Sequence, residues 1–362
     1  MLFSKPRICK IIHNLFDFTI IFLSTILSIF NIFHHNTINI INQIENLAVL
    51  MSMPNLGISN SKSNSENLDK ICMESSDNLE LDYDSYEEQD KLDVINNQND
   101  SYKIFEAQFG KSGIKCGNFF IKNKTGSNIN FEDYLSKVPE LSVKNKKKPV
   151  VLIYHTHTSE GYMDKDDGSF PKDFSPRTQD KSKNVTAIGE ELSKTLKENG
   201  ISTLHDTTFH DYPVYEGAYK RSAKTVKEYI KKNPEIIITI DVHRDSMGEN
   251  KTGKIKPTFK AKNNKKAAQI MIISGCGINK SLNFPNWEKN LVFALNLQKI
   301  CEQECPGLTR EFLIKNSRYN QDLTKGSILI EVGSDMNTIE ESKLAAKIFG
   351  KSLSNFIKKF TK

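Results

Sequence analysis

The sequence predicts an α/β domain: a mostly parallel sheet flanked by helices, held behind an N-terminal transmembrane helix and a disordered polar linker. Three observations predict it. From about residue 147 on, short apolar runs alternate with segments of helical periodicity, as in a sheet whose faces are covered by crossover helices. Three of those apolar runs lead into His or Glu. The residues before 102 have a different composition, one apolar run followed by a stretch rich in Ser, Asn, Asp and Glu. The length of 362 residues accommodates one good-sized domain plus additional segments.

The chain divides into residues 1–35, 36–101 and 102–362. In the first, Lys5, Arg7 and Lys10 precede LFDFTIIFLSTILSIFNIF at 15–33. That is the length of a membrane span, about 20 residues. The basic flank predicts a cytoplasmic N-terminus and a single pass through the cell membrane, with the rest outside. No small-residue cleavage site closes the run, so a retained anchor is expected. Asp17 sits near the cytoplasmic end, where a carboxylate costs less than at the midplane. From Ser59 to Ser101, SNSKSNSENLDK and LDYDSYEEQDKLD carry too little apolar content for a core and read as a solvated spacer.

The globular elements follow in order. KPVVLIYHTH is a buried strand. NVTAIGEELSKTLKEN is a helix ending at Gly200, a C-cap. ISTLHD is a strand, and GAYKRSAKTVKEYIKKN a helix stopped before Pro234. EIIITIDVHRD and AAQIMIISG are strands, and WEKNLVFALNLQKICEQE is a helix. SILIEVGS is a strand, and NTIEESKLAAKIFGKSLSNFIKKF a closing amphipathic helix. The cysteines, at 9, 72, 116, 276, 301 and 305, show no disulfide framework and read as free or core thiols.

A net charge of +6 and a pI near 8.7 suit wall polymers, lipid headgroups or nucleic acid. No RNP motif, zinc-finger spacing or helix-turn-helix pattern is present, which sets nucleic acid aside. No Walker A or dinucleotide fingerprint occurs. Ser274-Gly275-Cys276-Gly277 lacks the form of a nucleophile elbow and reads as a strand-ending turn.

In parallel sheets, sites form at the carboxyl ends of strands. VVLIY runs into His155, His157 and Glu160; IIITIDV runs into His243, Arg244 and Asp245; ILI runs into Glu331. Two imidazoles and one carboxylate, His157, Glu160 and His243, suit Zn2+ and leave a position open for water. Glu331, ending an apolar strand, is the candidate general base and acid, its pKa raised by burial. His155 and His157 alternate, so one of them is the ligand; His157 pairs with Glu160, and His155 is the orienting alternative. Glu160 is either a ligand or a solvated loop carboxylate. Arg244 is either a clamp for a substrate carboxylate or a salt-bridge partner of Asp241 or Asp245. His205 and His210 read as surface residues, and Asn320, Gln321 and Asp322 as residues that could line a cleft.

VLIYHTHTSEGY, IDVHRDS, FPNWEKNLVFALNLQ and YNQDLTKGSILIEVGS, in this order, resemble the stage II sporulation protein P family from about Lys147 to the C-terminus. The resemblance implies a peptidoglycan hydrolase of the engulfment machinery in spore-forming bacteria. It implies an N-acetylmuramoyl-L-alanine amidase that also has endopeptidase activity on stem peptides, working with stage II sporulation proteins D and M. The implied fold is similar to zinc-dependent amidases and, more distantly, zinc carboxypeptidases. In the latter a His-x-x-Glu, a later strand-end His and a late Glu hold the roles given above to His157, Glu160, His243 and Glu331. In classical wall amidases the ligating Glu comes from a separate downstream position, for which Glu190 is the alternative here.

Overall fold

The computed structural model describes residues 101–361 apart from 144, 146, 248, 251 and 252. The expected anchor at 15–33 and the linker to residue 100 lie outside the described residues. Among the described residues no helix is long and apolar enough to cross a membrane.

The chain runs β1 (Ser101–Ala107), β2 (Ile114–Cys116), β3 (Phe119–Lys124), α1 (Phe131–Leu135), β4 (Val151–Tyr154), β5 (Ser169–Pro171), α2 (Val185–Glu198), β6 (Thr203–His205), α3 (Ala218–Lys232), β7 (Ile238–Asp245), β8 (Glu249–Asn250), β9 (Gly253–Lys260), β10 (Lys266–Ala268), β11 (Ile270–Gly275), α4 (Trp287–Glu304), β12 (Phe312–Lys315), β13 (Gly326–Ser334) and α5 (Ile339–Phe360). The principal sheet has the order β2-β3-β12-β11-β13-β7-β4-β6. A smaller sheet has the order β10-β9-β1-β5, with β8 paired to β9.

The α/β expectation holds, but "mostly parallel" needs refining. Strands β6, β4, β7 and β13 are mutually parallel, and so are β3, β12 and β11. The two blocks meet antiparallel at β11 and β13. The reason lies in the excursion after β7. A parallel return requires a crossover, and the chain from β8 to β10 instead builds strands of the smaller sheet. AAQIMIISG, expected as one strand, is therefore two in different sheets. Buried Gln269 marks the corner, with its Oε1 accepting from Phe109 N and its Nε2 donating to Phe109 O and Gly307 O.

Side chains alternate across β4. Val151 and Ile153 pack with Ile188, Leu192 and Phe349 in the main core, which joins α2, α4 and α5. Leu152 and Tyr154 face the other way, against Val226 of α3 and Ile236. The helix ends follow the expected chemistry. Asn184 Oδ1 accepts from Thr186 N at the start of α2, and Gly200 takes φ 79° after its end. Thr338 and Glu341 form a reciprocal capping box at the start of α5.

Candidate active site

Four parallel strands, β6, β4, β7 and β13, end at one edge of the principal sheet. Register sets which residues meet there. Tyr154 pairs with Asp241, and Glu331 pairs with His243. The pairing of β13 with β7 shifts immediately after Glu331, where Gly333 takes φ 70°. A Cβ on Gly333 would lie 2.6 Å from Asn337 Oδ1, so the bulge that bends the strand beyond Glu331 requires glycine.

His157 lies past the end of β4, and Glu160 N closes a turn onto its carbonyl at 3.2 Å. Val185 N of α2 donates to Glu160 O. The buried Glu160 carboxylate accepts from Arg244 N at 3.1 Å and faces His243 Nδ1 at 3.5 Å. The His157 and His243 rings meet edge to face with centroids 5.2 Å apart. On the other side of the His243 ring, Nε2 is 3.0 Å from Asp241 Oδ1. Asp241 is fixed in turn by Thr156, through N to Oδ1 at 2.8 Å and Oγ1 to Oδ2 at 2.6 Å. Burial alone would lower the His243 pKa, but Asp241 and Glu160 outweigh it and hold it well above the ordinary histidine value. Burial likewise opposes ionisation of Glu160 and Asp241, and His243 outweighs it and holds both below the usual carboxylate range.

Glu331 behaves in the opposite way. It is buried, and among the described residues its Oε2 has no hydrogen-bond partner. Burial pushes its pKa up to about 8, against the pull of His243, with Asp245 and Glu160 adding to the rise. Arg310 Nη1 holds Asp245 Oδ2 at 2.6 Å beside it.

The donor set suits zinc. Two imidazoles and a carboxylate lie at this edge, and the far nitrogen of His243 is 3.0 Å from Asp241 Oδ1, a carboxylate on the side away from Glu160. The 3.5 Å between His243 Nδ1 and Glu160 Oε2 is long for a hydrogen bond. It is close to the edge of a tetrahedron with bonds of about 2.0–2.1 Å, which is roughly 3.3 Å. Among the described residues no group of three or more His, Cys, Asp or Glu side chains stands close enough together to hold a metal ion.

Other residues fall elsewhere. His155 is not turned toward Glu160: its Nδ1 meets Val242 O at 2.9 Å and its Nε2 meets His205 Nε2 at 2.9 Å. Burial drives its pKa down to about 3. His205 and His210, expected at the surface, are covered: the side chains are 5% and 2% exposed. His205 lies beneath Gly189 of α2, where a Cβ would sit 2.5 Å from its Nε2, and His210 Nδ1 bonds to His155 O at 2.8 Å. Glu190 is 70% exposed and reaches His205 at 3.1 Å instead of His243. Arg244 Nε and Nη2 donate to Gly161 O and Pro176 O. Asn320 Nδ2 donates to Tyr219 O and Ser222 Oγ, and Gln321 bridges Gly275 N and Ile273 O.

Sequence reasoning missed Asp241 as the partner of His243, although D-x-H on one strand places both side chains on one face. It also missed Tyr215, whose ring stacks on His157 at 4.7 Å with its hydroxyl 3.2 Å from Nε2, and Arg177, whose guanidinium lies 4.7 Å over the Tyr215 ring. Both come from loops, where no periodicity signals them.

Residues 30–354 match the model of the family described as stage II sporulation protein P. A relative of that name from Bacillus subtilis (strain 168) is 32% identical over 225 residues, covering 59% of this chain and 52% of the relative. The chain thus spans about half the length of that relative. Among solved structures, the CwlD amidase from Clostridioides difficile in complex with the GerS lipoprotein is 13% identical over 58% of this chain and 97% of its own, with a TM-score of 0.35. The N-acetylmuramoyl-L-alanine amidase AmiC2 of Nostoc punctiforme is 12% identical over 60% of this chain and 97% of its own, with a TM-score of 0.33.

Proposed function

The chain belongs to the stage II sporulation protein P family, and from that premise we propose that it is a zinc-dependent peptidoglycan hydrolase of sporulation engulfment, an N-acetylmuramoyl-L-alanine amidase with endopeptidase activity on stem peptides. One observation supports the reading: the His157 ring meets His243 edge to face, His243 Nδ1 faces Glu160 at 3.5 Å, and buried Glu331 lies on the strand paired beside His243.

His157, Glu160 and His243 would hold the zinc, which supplies Lewis acidity toward the scissile carbonyl when bound. Asp241, 3.0 Å from His243 Nε2, would leave Nδ1, on the Glu160 side, as the nitrogen available for coordination. Glu331 takes the proton of the attacking water and passes it to the leaving nitrogen. Its raised pKa suits a group that must both accept and return a proton near neutral pH. The basic flank and apolar run at 15–33 would anchor the chain in the cell membrane with the catalytic domain outside. The stretch at 59–101, rich in Ser, Asn, Asp and Glu, would serve as a spacer between that anchor and the catalytic domain. Stage II sporulation proteins D and M are the proposed partners.

The test is metal content and muropeptide mass analysis on purified sacculi, wild type beside His243→Ala. The reading requires zinc in the wild type, release of free stem peptides, and loss of both in the variant. A wild type that binds no metal and releases nothing defeats it in favour of a wall-binding subunit.

A further inference from the structure

Helix α3 has a face that packing does not use. Ala218, Ser222 and Val226 are buried, and Tyr229 and Ile230 pack with Leu152 and Tyr154 of β4. On the other side Lys220, Lys224, Lys227 and Lys231 are all exposed. Their spacing of four, three and four residues keeps them, at about 100° per residue, within an arc of about 60°. They form a line roughly 16 Å long down one side of the helix. Among the described residues none of the four meets a carboxylate, whereas lysines on other surfaces do: Lys183 is 2.6 Å from Asp164 and Lys289 is 2.8 Å from Glu140.

The helix contains six Lys and Arg against one carboxylate, Glu228. Each neighbouring pair in the line stands at the i,i+3 or i,i+4 separation where like charges destabilise a helix. The chain as a whole has a net charge of +6, and its stretch at 59–101 is rich in Asp and Glu, so the excess of cations lies on the folded domain. The line also begins beside the candidate active site. In the first turn of α3, Tyr219 stands edge-on to His157 with centroids 5.6 Å apart. Arg221 Nε donates to His210 O and its Nη2 to Tyr215 O at 3.3 Å, which braces the loop whose Tyr215 ring stacks on His157.

A polyanion laid along the line would relieve the repulsion in every pair and release its own counterions. A bilayer is the poorer fit, because a helix that lies in a membrane interface buries an apolar face, and the apolar face of α3 is already packed against β4. We propose that Lys220, Lys224, Lys227 and Lys231 bind a linear polyanion, a phosphodiester-linked polymer of the cell wall, and hold the domain beside it. The choice of a wall polymer rests on the peptidoglycan-hydrolase reading above. The binding itself needs no turnover, so the two can fail separately.

The probe is linear poly(glycerol phosphate), titrated against the full chain in detergent micelles. Four proteins are compared: the wild type, a variant with Lys→Gln at 220, 224, 227 and 231, a variant with Lys→Arg at the same positions, and a control with Lys→Gln at Lys347, Lys351, Lys358 and Lys359, exposed lysines of α5. The wild type should bind, and more weakly as salt is raised. The α3 Lys→Gln variant should raise Kd by about ten- to a hundredfold at low salt, the sum expected of four exposed charge contacts. The Lys→Arg variant and the α5 control should stay within about threefold of the wild type, and thermal unfolding of the α3 Lys→Gln variant should not fall. Stem-peptide release from sacculi stripped of phosphate polymer should be the same for the α3 Lys→Gln variant and the wild type within about twofold. A wild type that does not bind the polymer, an α5 control that loses as much as the α3 variant, or an α3 loss confined to phosphatidylglycerol vesicles overturns the proposal, the last in favour of a membrane surface. Polymer binding that depends on α3, in a wild type that releases no stem peptide, would leave the proposal standing without the hydrolase.

Discussion

The buried charge beside the smaller sheet and that at the strand edge are built on opposite plans. Beside the smaller sheet, Lys256 is fully buried with Nζ 2.8 Å from Asp166, 3.1 Å from Glu341 and 3.3 Å from Glu106. Lys266 pairs with the same Glu106 and Asp166. Burial alone would lower the Lys256 pKa, but its carboxylate partners outweigh it and raise it, so cation and anions keep each other charged. Glu341 also caps α5, so the cluster ties the smaller sheet to the last helix. At the strand edge, Glu160 and Asp241 have a cation between them in His243, whereas Glu331 has an oxygen that no described residue bonds and a pKa pushed up to about 8. A satisfied network holds structure. An unsatisfied buried carboxylate costs stability and persists where chemistry uses it.

This contrast can be broken by mutation. The largest effect is expected at Glu331. Glu331→Gln should cut turnover by about 10²–10⁴, the range for losing general acid–base catalysis, while leaving metal content unchanged. Steady-state release of stem peptides, with metal analysis, checks it; a variant that keeps wild-type turnover removes Glu331 from the mechanism.

Lys256→Met should do the reverse. Removing one partner of a buried ion cluster costs about 3–5 kcal/mol, so thermal unfolding should shift sharply downward while turnover per folded molecule stays at the wild-type level. Loss of turnover in protein that remains folded would erase the distinction between the clusters.

Asp241→Asn should lower metal affinity by about 10–100-fold, as expected for the partner that orients a ligating histidine. Competition with a chromophoric chelator measures this, and an unchanged affinity would mean that His243 needs no such support.

The smallest effect is in the pH dependence of stability in metal-free protein. The folded pKa of Glu331 is raised to about 8 from an ordinary 4.5. Between those values the folded state binds the extra proton, so this group's contribution to stability falls as pH rises from about 4.5 to 8 and is level beyond. Unfolding of the wild type and Glu331→Gln should therefore diverge in favour of the variant across that window. Parallel curves would show that Glu331 ionises freely.

Much was legible before any coordinates. The segment 287–304 expected as a helix is α4, and α2 ends before Gly200 because that position takes a positive φ. His157, Glu160, His243 and Glu331 could be named because apolar runs that must be buried deliver them to strand ends. His205 and His210 read as surface residues because a polar loop gives no sign that a helix will lie over it, as α2 does at Gly189.

The sequence by itself determined the element types, the apolar strands and the residues carried to their ends, because each follows from local period and hydrophobic burial. Only the tertiary structure decided that β11 runs against β13, that Asp241 supports His243, that Arg244 staples loops and that Arg177 meets Tyr215. Those outcomes depend on strand register and on loops folded against each other, and contacts between residues tens of positions apart leave no mark in a local pattern.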